Sequence, residues 1–200
     1  MRYTVQSLRS LLAITLFSLL FLFSTTAAAI DGYKSREQLF VGFGLGGGPG
    51  AVHVGDEALS TGLDQGGAMG LHLHGIVGGG YSEQVVLGAE LNTWLRNSRL
   101  GDEALSHYHW SFLANADVFL YRGFYAGAGL GLAYGITDAR EADREILRIQ
   151  ELGWAIKGNA GFEYFLNGTV AAGFRFSYTR HFYQNVDFDT FQGAITLRWY

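Results

Sequence analysis

Residues 108–137 read YHWSFLANADVFLYRGFYAGAGLGLAYGIT. Every second residue is apolar over 108–120, and the same alternation resumes over 124–136. A period of two is the spacing at which the side chains of a β-strand face opposite sides of a sheet. Arg122-Gly123 separates the two runs and is typical of a tight turn. The stretch therefore predicts two antiparallel strands, each with one apolar face.

The same alternation marks eight segments of the chain. Their apolar rows begin at Leu39, Met69, Val85, Tyr108, Phe124, Trp154, Val170 and Phe191. These rows contain no Asp, Glu, Lys or Arg, whereas the opposite rows carry charged residues. A soluble β-sandwich also alternates in this way, so other features of the chain must separate the two architectures.

The connections between the segments alternate in length. Brief joins are predicted at 78–80, 122–123 and 167–168, and longer connections at 47–67, 97–106, 138–151 and 182–188. Membrane barrels have short periplasmic turns and longer external loops. The alternation therefore predicts an even number of strands with both chain ends in the periplasm.

Aromatic residues concentrate near both ends of the predicted strands. Near the brief joins lie Tyr81, Tyr121, Phe124, Tyr125, Tyr164, Phe165, Trp199 and Tyr200. Near the longer connections lie Trp94, Tyr108, Trp110, Tyr134, Trp154, Tyr178, Phe182 and Tyr183. Because aromatic rings favour the level of the lipid headgroups, we expect two girdles that mark the membrane interfaces.

The N-terminal residues follow the order of a secretory signal peptide. Two arginines precede an apolar stretch over 11–23, and Ala27-Ala28-Ala29 fits a cleavage site. The stretch has 13 residues, fewer than the roughly 20 that a membrane-spanning helix needs. We expect three segments: a removed signal peptide over 1–29, a short periplasmic lead-in over 30–37 and a barrel over 38–200.

Composition narrows the class of protein. The absence of cysteine excludes disulfides and thiolate metal sites. A net charge of −4 argues against nucleic acid as a partner, because a polyanion requires a basic face. With 29 glycines, one proline and 15% aromatic residues, the chain is typical of β-structure and not of a disordered segment.

The first segment opens with residues 39–47, LFVGFGLGG, and the last strand ends in aromatic residues. In both features the chain resembles the small eight-stranded outer-membrane barrels typified by the OmpA membrane domain, OmpX and OmpW. The resemblance implies an antiparallel up-and-down transmembrane β-barrel. It also implies that the outer-membrane barrel assembly machinery recognises the final strand. In that family the terminal aromatic shares the lipid-facing row, whereas Tyr200 falls one position off the row that ends at Trp199.

The row opposite the lipid fills the inside of an eight-stranded barrel. Its charged residues are three acids and three bases: Glu90, Asp117, Glu163, Lys157, Arg175 and Arg198. An isolated buried charge costs several kcal/mol, so we expect this lumen charge network to pair and to close the lumen. A narrow ion channel, in which the pairs exchange partners, is an alternative. Inward glycines are expected to make room for larger neighbours: Gly42, Gly44, Gly127, Gly129 and Gly131.

Inward histidines suggest two further interpretations. His72 and His74 could chelate a metal from one strand face, but no third ligand is evident, so we predict no metal and no cofactor. His109 and Ser111 have the His-x-Ser spacing of the lipid A deacylases, in which the pair acts as base and nucleophile. Phe112 replaces the asparagine of that family. We predict that the protein is not an enzyme and keep a lipid A-modifying acyl hydrolase as an alternative.

Together these features predict an outer-membrane protein with a structural or surface-interaction role. The connection at 138–151 carries Arg140, Arg144 and Arg148, which could contact lipopolysaccharide phosphates. The expected partners are outer-membrane lipids, lipopolysaccharide and the assembly machinery, and the barrel is expected to be a monomer. A secreted soluble β-protein is the remaining alternative.

Overall fold

The computed structural model describes residues 36–54, 57–59, 69–100, 102–121, 123–141, 144–184 and 186–200. The expected signal peptide and all but the last two residues of the expected lead-in lie outside the described residues. No helix in the described part of the chain is long and apolar enough to cross a membrane.

In the described residues, nine strands form one antiparallel sheet. They are β1 Leu39–Val54, β2 Glu57–Leu59, β3 Met69–Gly80, β4 Val85–Leu100, β5 Glu103–Tyr121, β6 Phe124–Glu141, β7 Arg144–Phe165, β8 Val170–Phe182 and β9 Asp187–Trp199. The eight long strands pair in chain order, and β1 also pairs with β9. This last pairing closes the sheet, so the predicted eight-stranded up-and-down barrel is confirmed. The short β2 only extends the end of β1 as a small hairpin.

The two faces of the wall are those that the alternation predicts. Apolar side chains point outward and are exposed, with Leu39 at 84% and Ile195 at 73%. The opposite row points into the lumen and is largely polar, yet it is buried. A soluble protein places these two kinds of surface the other way round. The wall is therefore built to meet lipid outside and to bury its polar groups inside.

The predicted long connections are largely strand. β4 and β5 are separated only by residues 101–102, and β6 and β7 only by residues 142–143, so the expected loops at 97–106 and 138–151 are wrong. A membrane span needs about 9–11 residues of a tilted strand, whereas β7 has 22. The hairpins therefore continue beyond the membrane. The period of two fades there because both faces meet water, while backbone pairing requires no particular side chain.

The join predicted at 78–80 is also displaced, because these glycines belong to β3 and the turn is formed by residues 81–84. A Cβ at Gly78 would lie 2.1 Å from the carbonyl oxygen of Leu87, and one at Gly80 would lie 1.9 Å from that of Arg36. The glycines thus allow close backbone approach within the wall. The brief join predicted at 122–123 is confirmed in position, because β5 ends at Tyr121 and β6 begins at Phe124, and Gly123 adopts a φ of 92°.

The aromatic girdles are confirmed in part. Outward rings lie at both strand ends: Tyr81, Tyr121, Phe124, Tyr164 and Trp199 at one end, and Tyr108, Trp110, Tyr134, Trp154, Tyr178 and Phe182 at the other. Five of the predicted girdle residues instead point inward: Trp94, Tyr125, Phe165, Tyr183 and Tyr200. All five occupy inward positions of the alternation or continue it, so register determines which way they point more than nearness to a strand end does.

Candidate functional site in the barrel lumen

The middle of the lumen begins with Glu90 on β4. Its carboxylate accepts a hydrogen bond from Lys157 of β7 and another from Arg175 of β8, with Arg175 Nη1 2.9 Å from Glu90 Oε2. The three side chains are at most 2% exposed. A charge buried this far requires an opposite charge close by, and here one acid is shared by two bases.

Asp117 on β5 continues the chain of ion pairs. Its Oδ1 lies 3.3 Å from Arg175 Nη2 and its Oδ2 lies 2.6 Å from Arg198 Nη2. The side-chain amides of Asn115 and Asn159 also donate to Oδ1, at 3.0 and 3.1 Å. Asp117 is therefore held between two guanidinium groups and two amides, which satisfies most of its acceptor capacity.

Glu163 on β7 ends the chain towards the short joins. Arg198 Nη1 lies 3.4 Å from Glu163 Oε2, close enough for attraction between charges but without hydrogen-bond geometry. On the other side, Arg36 Nε donates to Glu163 Oε1 at 3.1 Å, and the Tyr200 hydroxyl donates to the same carboxylate at 2.9 Å. The sequence predicts that this end of the barrel faces the periplasm.

The six charged residues named from the sequence therefore lie in one continuous series, and Arg36 joins it as a seventh member. We call the series the ion-pair ladder: Lys157, Glu90, Arg175, Asp117, Arg198, Glu163 and Arg36. From the sequence alone, Arg36 is predicted to lie in the periplasmic lead-in. It precedes the first alternating segment, so no periodic signal could have identified it.

Below the ladder the lumen is filled by an apolar cluster, the periplasmic plug. It consists of Phe40, Ile76, Val86, Phe119, Tyr125, Phe165, Ala171 and Tyr200. The ladder rests on these rings, with the Arg36 guanidinium 4.0 Å from the centre of the Phe119 ring and Arg198 5.3 Å from Phe40. Cation–π contact of this kind stabilises a desolvated guanidinium. The periplasmic plug also explains why Tyr200 falls one position off the lipid-facing row. Its ring points inward and packs between Phe40 and Phe165.

Above the ladder, at the opposite end, the lumen contains rings and no ladder residues. We call this group the imidazole layer: Trp94, His107, His109, His181, Tyr183 and Phe188. The His109 ring stacks on Phe188 with centroids 3.7 Å apart and an angle of 7°. Trp94 lies 5.1 Å from Phe188, and its indole Nε1 donates to the carbonyl of Gly48 at 3.1 Å. Contact between rings and burial hold this layer together.

The hydrogen bonds of His109 bear on the hydrolase alternative. Tyr183 lies in the connection between β8 and β9, and its hydroxyl lies within hydrogen-bond distance of His109 Nδ1, at 3.0 Å. Within the described residues, neither His109 Nε2 nor Ser111 Oγ has a hydrogen-bond partner. His109 and Ser111 are thus not joined as base and nucleophile.

His72 and His74 lie between the ladder and the imidazole layer. Their rings stack at 5.2 Å, and His72 Nε2 lies 2.7 Å from Asn92 Oδ1. Across the ranges that the structure describes, no group of three or more His, Cys, Asp or Glu side chains is placed to hold a metal ion.

Inward glycines make room for these large side chains. A Cβ at Gly44 would lie 2.0 Å from His74 Cε1, and one at Gly70 would lie 2.2 Å from Trp94 Cε2. A Cβ at Gly127 would lie 2.2 Å from Asp117 Oδ1. Glycine on one strand thus complements a bulky or charged residue on the next, as the sequence predicts for Gly44 and Gly127.

No protein-family model matches the sequence, and no curated protein matches it. Solved structures do match. Ail, the attachment invasion locus protein of Yersinia pestis, superimposes with a TM-score of 0.60, covering 81% of this chain and 99% of Ail at 11% identity. The protein has the fold of the small outer-membrane β-barrels. Neisserial surface protein A superimposes with a TM-score of 0.51 at 10% identity, covering 80% of this chain and 96% of that one. The resemblance to eight-stranded outer-membrane barrels is therefore confirmed for the fold.

Proposed function

We propose that this protein is a non-enzymatic outer-membrane barrel whose lumen is closed and whose function lies on its outer rim. The observation that carries the proposal is the ion-pair ladder. Its members come from five strands, β4, β5, β7, β8 and β9, and from Arg36. They meet across the lumen where an ion would have to pass.

Two features support closure. An eight-stranded barrel encloses only enough space for its own side chains, and here the ladder is backed by the periplasmic plug. An ion could pass only if buried pairs separated, and separating a buried pair leaves an uncompensated charge that costs about 3–5 kcal/mol. The ladder thus favours a closed barrel over the narrow ion channel.

Conductance measurement tests closure directly. The mature protein, refolded in detergent and shown to be folded by heat-modifiable gel migration, is added to a planar lipid bilayer, with a porin as positive control. We expect no stepwise conductance from the folded barrel. Reproducible single-channel steps from the wild-type protein would overturn the closed-lumen proposal.

The rim supports a surface-interaction role because the hairpins β4–β5 and β6–β7 extend beyond the length that a span requires. Exposed segments on a rigid scaffold are where binding usually resides. The Ail structure was solved in complex with the heparin analogue sucrose octasulfate, so anionic glycans are the first ligand class to examine. We expect proteoliposomes carrying the barrel to be retained on an immobilised anionic glycan, and equal retention of protein-free liposomes would count against it.

The absence of enzymatic activity is tested with lipid A. The folded barrel is incubated with lipid A, and released fatty acid is measured by mass spectrometry. We expect no release above that of a heat-denatured sample. Release that is lost on Ser111→Ala would establish the hydrolase instead.

A further inference from the structure

A polar cleft lies on the outer wall where β4, β5 and β6 rise above the membrane. Its volume is about 330 Å³, and it is lined by Asn97, Ser98, Arg99, Asp102, Ala104, Ser106, Tyr108, Asp138 and Arg140. We call it the rim cleft. Roughly 300–1,000 Å³ is the usual size of a small-ligand site, so the rim cleft can admit part of a larger molecule.

Strand pairing explains how the cleft forms. Arg99, Ala104 and Arg140 are directly paired across the three strands, so they share one row of the outward face. Neighbouring strands lie about 4.8 Å apart, which separates the two arginine Cα atoms by about 10 Å with only an alanine methyl between them. The next row has Ser106 in the centre. Small side chains on β5 thus form a floor between longer ones on β4 and β6.

The height of the cleft relative to the lipid follows from the aromatic girdle. Trp110 and Tyr134 stack with ring centroids 5.8 Å apart and face outward, which marks the membrane interface. Ser106 lies two residues beyond Tyr108, or about 7 Å along the strand. The cleft therefore opens sideways at the level of the lipid headgroups.

The charges of the cleft leave one guanidinium available. Arg140 donates to Asp138 at 3.3 Å, whereas Arg99 is exposed and has no ion-pair partner among the described residues. On the opposite wall, Arg180 lies 2.9 Å from Asp187 and 3.7 Å from Asp189. Arg180 is therefore already occupied by two carboxylates and serves as a matched comparison.

We propose that the rim cleft binds a phosphorylated sugar of lipopolysaccharide in the surrounding leaflet. Arg99 takes the phosphate, since a guanidinium binds phosphate with two parallel hydrogen bonds, and Arg140 faces it across Ala104. The amide nitrogen of Asn97 and the hydroxyl of Ser106 offer hydrogen bonds to sugar hydroxyls. The sideways opening favours a molecule of the same membrane over a glycan in the medium. This inference rests on the proposed location of the barrel in the outer membrane.

The test measures binding to the folded barrel in detergent. The temperature at which heat-modifiable migration is lost is followed during titration with rough lipopolysaccharide, with the same preparation after dephosphorylation, with phosphatidylglycerol and with inorganic phosphate. We expect protection by phosphorylated lipopolysaccharide, and little from the other three. Equal protection by phosphatidylglycerol or inorganic phosphate would overturn the sugar assignment, and equal protection by the dephosphorylated form would overturn the phosphate assignment.

Variants locate the site. Arg99→Ala is expected to weaken apparent affinity about tenfold to a hundredfold, the loss typical of a charged hydrogen-bonding group. Ala104→Phe fills the floor without changing charge and is expected to weaken binding similarly. Arg180→Ala is the control and should bind as wild type. If Arg99→Ala and Ala104→Phe, both folded by gel migration, bind as wild type, the rim cleft is not the site. The conductance test does not depend on this result, so the two proposals fail separately.

Discussion

The ion-pair ladder and the imidazole layer fill the same lumen by opposite means. The ladder packs carboxylates against guanidinium groups and a lysine, with Arg175 and Asp117 at most 2% exposed. The imidazole layer packs neutral rings against one another, as in the stack of His109 on Phe188, and its hydrogen bonds are to a hydroxyl or a backbone carbonyl and not to a charged group. The first is held by directional charge pairs that depend on each other, and the second by contact area.

This difference determines how the ion-pair ladder and the imidazole layer should each respond to substitution. Removing one member of a buried ion pair leaves its partner uncompensated, so the cost exceeds what the pair contributes. Replacing one ring by another of similar shape keeps most of the contact. The ladder should therefore tolerate almost no change of charge, whereas the imidazole layer should tolerate changes that preserve volume.

The largest effect is expected at the centre of the ladder. Arg175→Met leaves Glu90 without its second base and Asp117 without one of its two. We expect the free energy of unfolding to fall by about 3–5 kcal/mol. Urea titration of the barrel in lipid vesicles, followed by tryptophan fluorescence, measures this value.

Arg180→Met is the matched control, because it removes an arginine from an ion pair at the partly exposed rim. We expect a much smaller loss than for Arg175→Met, because an ion pair at the surface is screened by water and contributes little. If Arg175→Met and Arg180→Met lose equal stability, the buried ladder does not stabilise the barrel more than the ion pair at the rim does.

A moderate effect is expected where the imidazole layer needs space. A Cβ at Gly70 would meet the Trp94 indole at 2.2 Å, and that indole is fixed by its bond to Gly48. Gly70→Ala should therefore cost about 1–3 kcal/mol through overpacking. Gly158 faces lipid, and a Cβ there meets nothing within 4 Å, so Gly158→Ala should be neutral or slightly stabilising in the same urea titration. Equal losses in both variants would contradict the packing argument.

The smallest effect is expected for a hydrogen bond within the imidazole layer. His109→Phe keeps a ring against Phe188 but removes the hydrogen bond between His109 and the Tyr183 hydroxyl. We expect a loss of about 1 kcal/mol, the usual worth of one hydrogen bond. Tyr183→Phe removes the other partner of the same bond and should cost a similar amount. A loss of 3 kcal/mol or more in His109→Phe would show that this layer also depends on specific polar pairing.

Much of the wall could be predicted from sequence because lipid imposes a strict rule on one face. Leu130, Leu132 and Ile156 had to be apolar to face hydrocarbon, and their spacing shows the strands directly. Beyond the membrane this rule ends, which is why the sequence predicts loops at 97–106 and 138–151 where the structure has hairpin extensions. The sequence predicts Trp94 in a girdle for a related reason, because nearness to a strand end does not determine whether a side chain points outward or inward.

The lumen could be predicted only in composition. The sequence supplies three acids and three bases on inward positions and thereby implies that charges must pair. It cannot say that Glu90 meets Lys157 across 67 residues, because the stagger of eight strands around a closed barrel determines which side chains share a level. Nor could it assign Arg36, whose place depends on Phe119 and Glu163. By itself the sequence determined the barrel and the facing of its strands, since contact with lipid is a local requirement. Tertiary structure alone decided the ladder, the imidazole layer and the rim cleft, since each brings together residues that only closure places side by side.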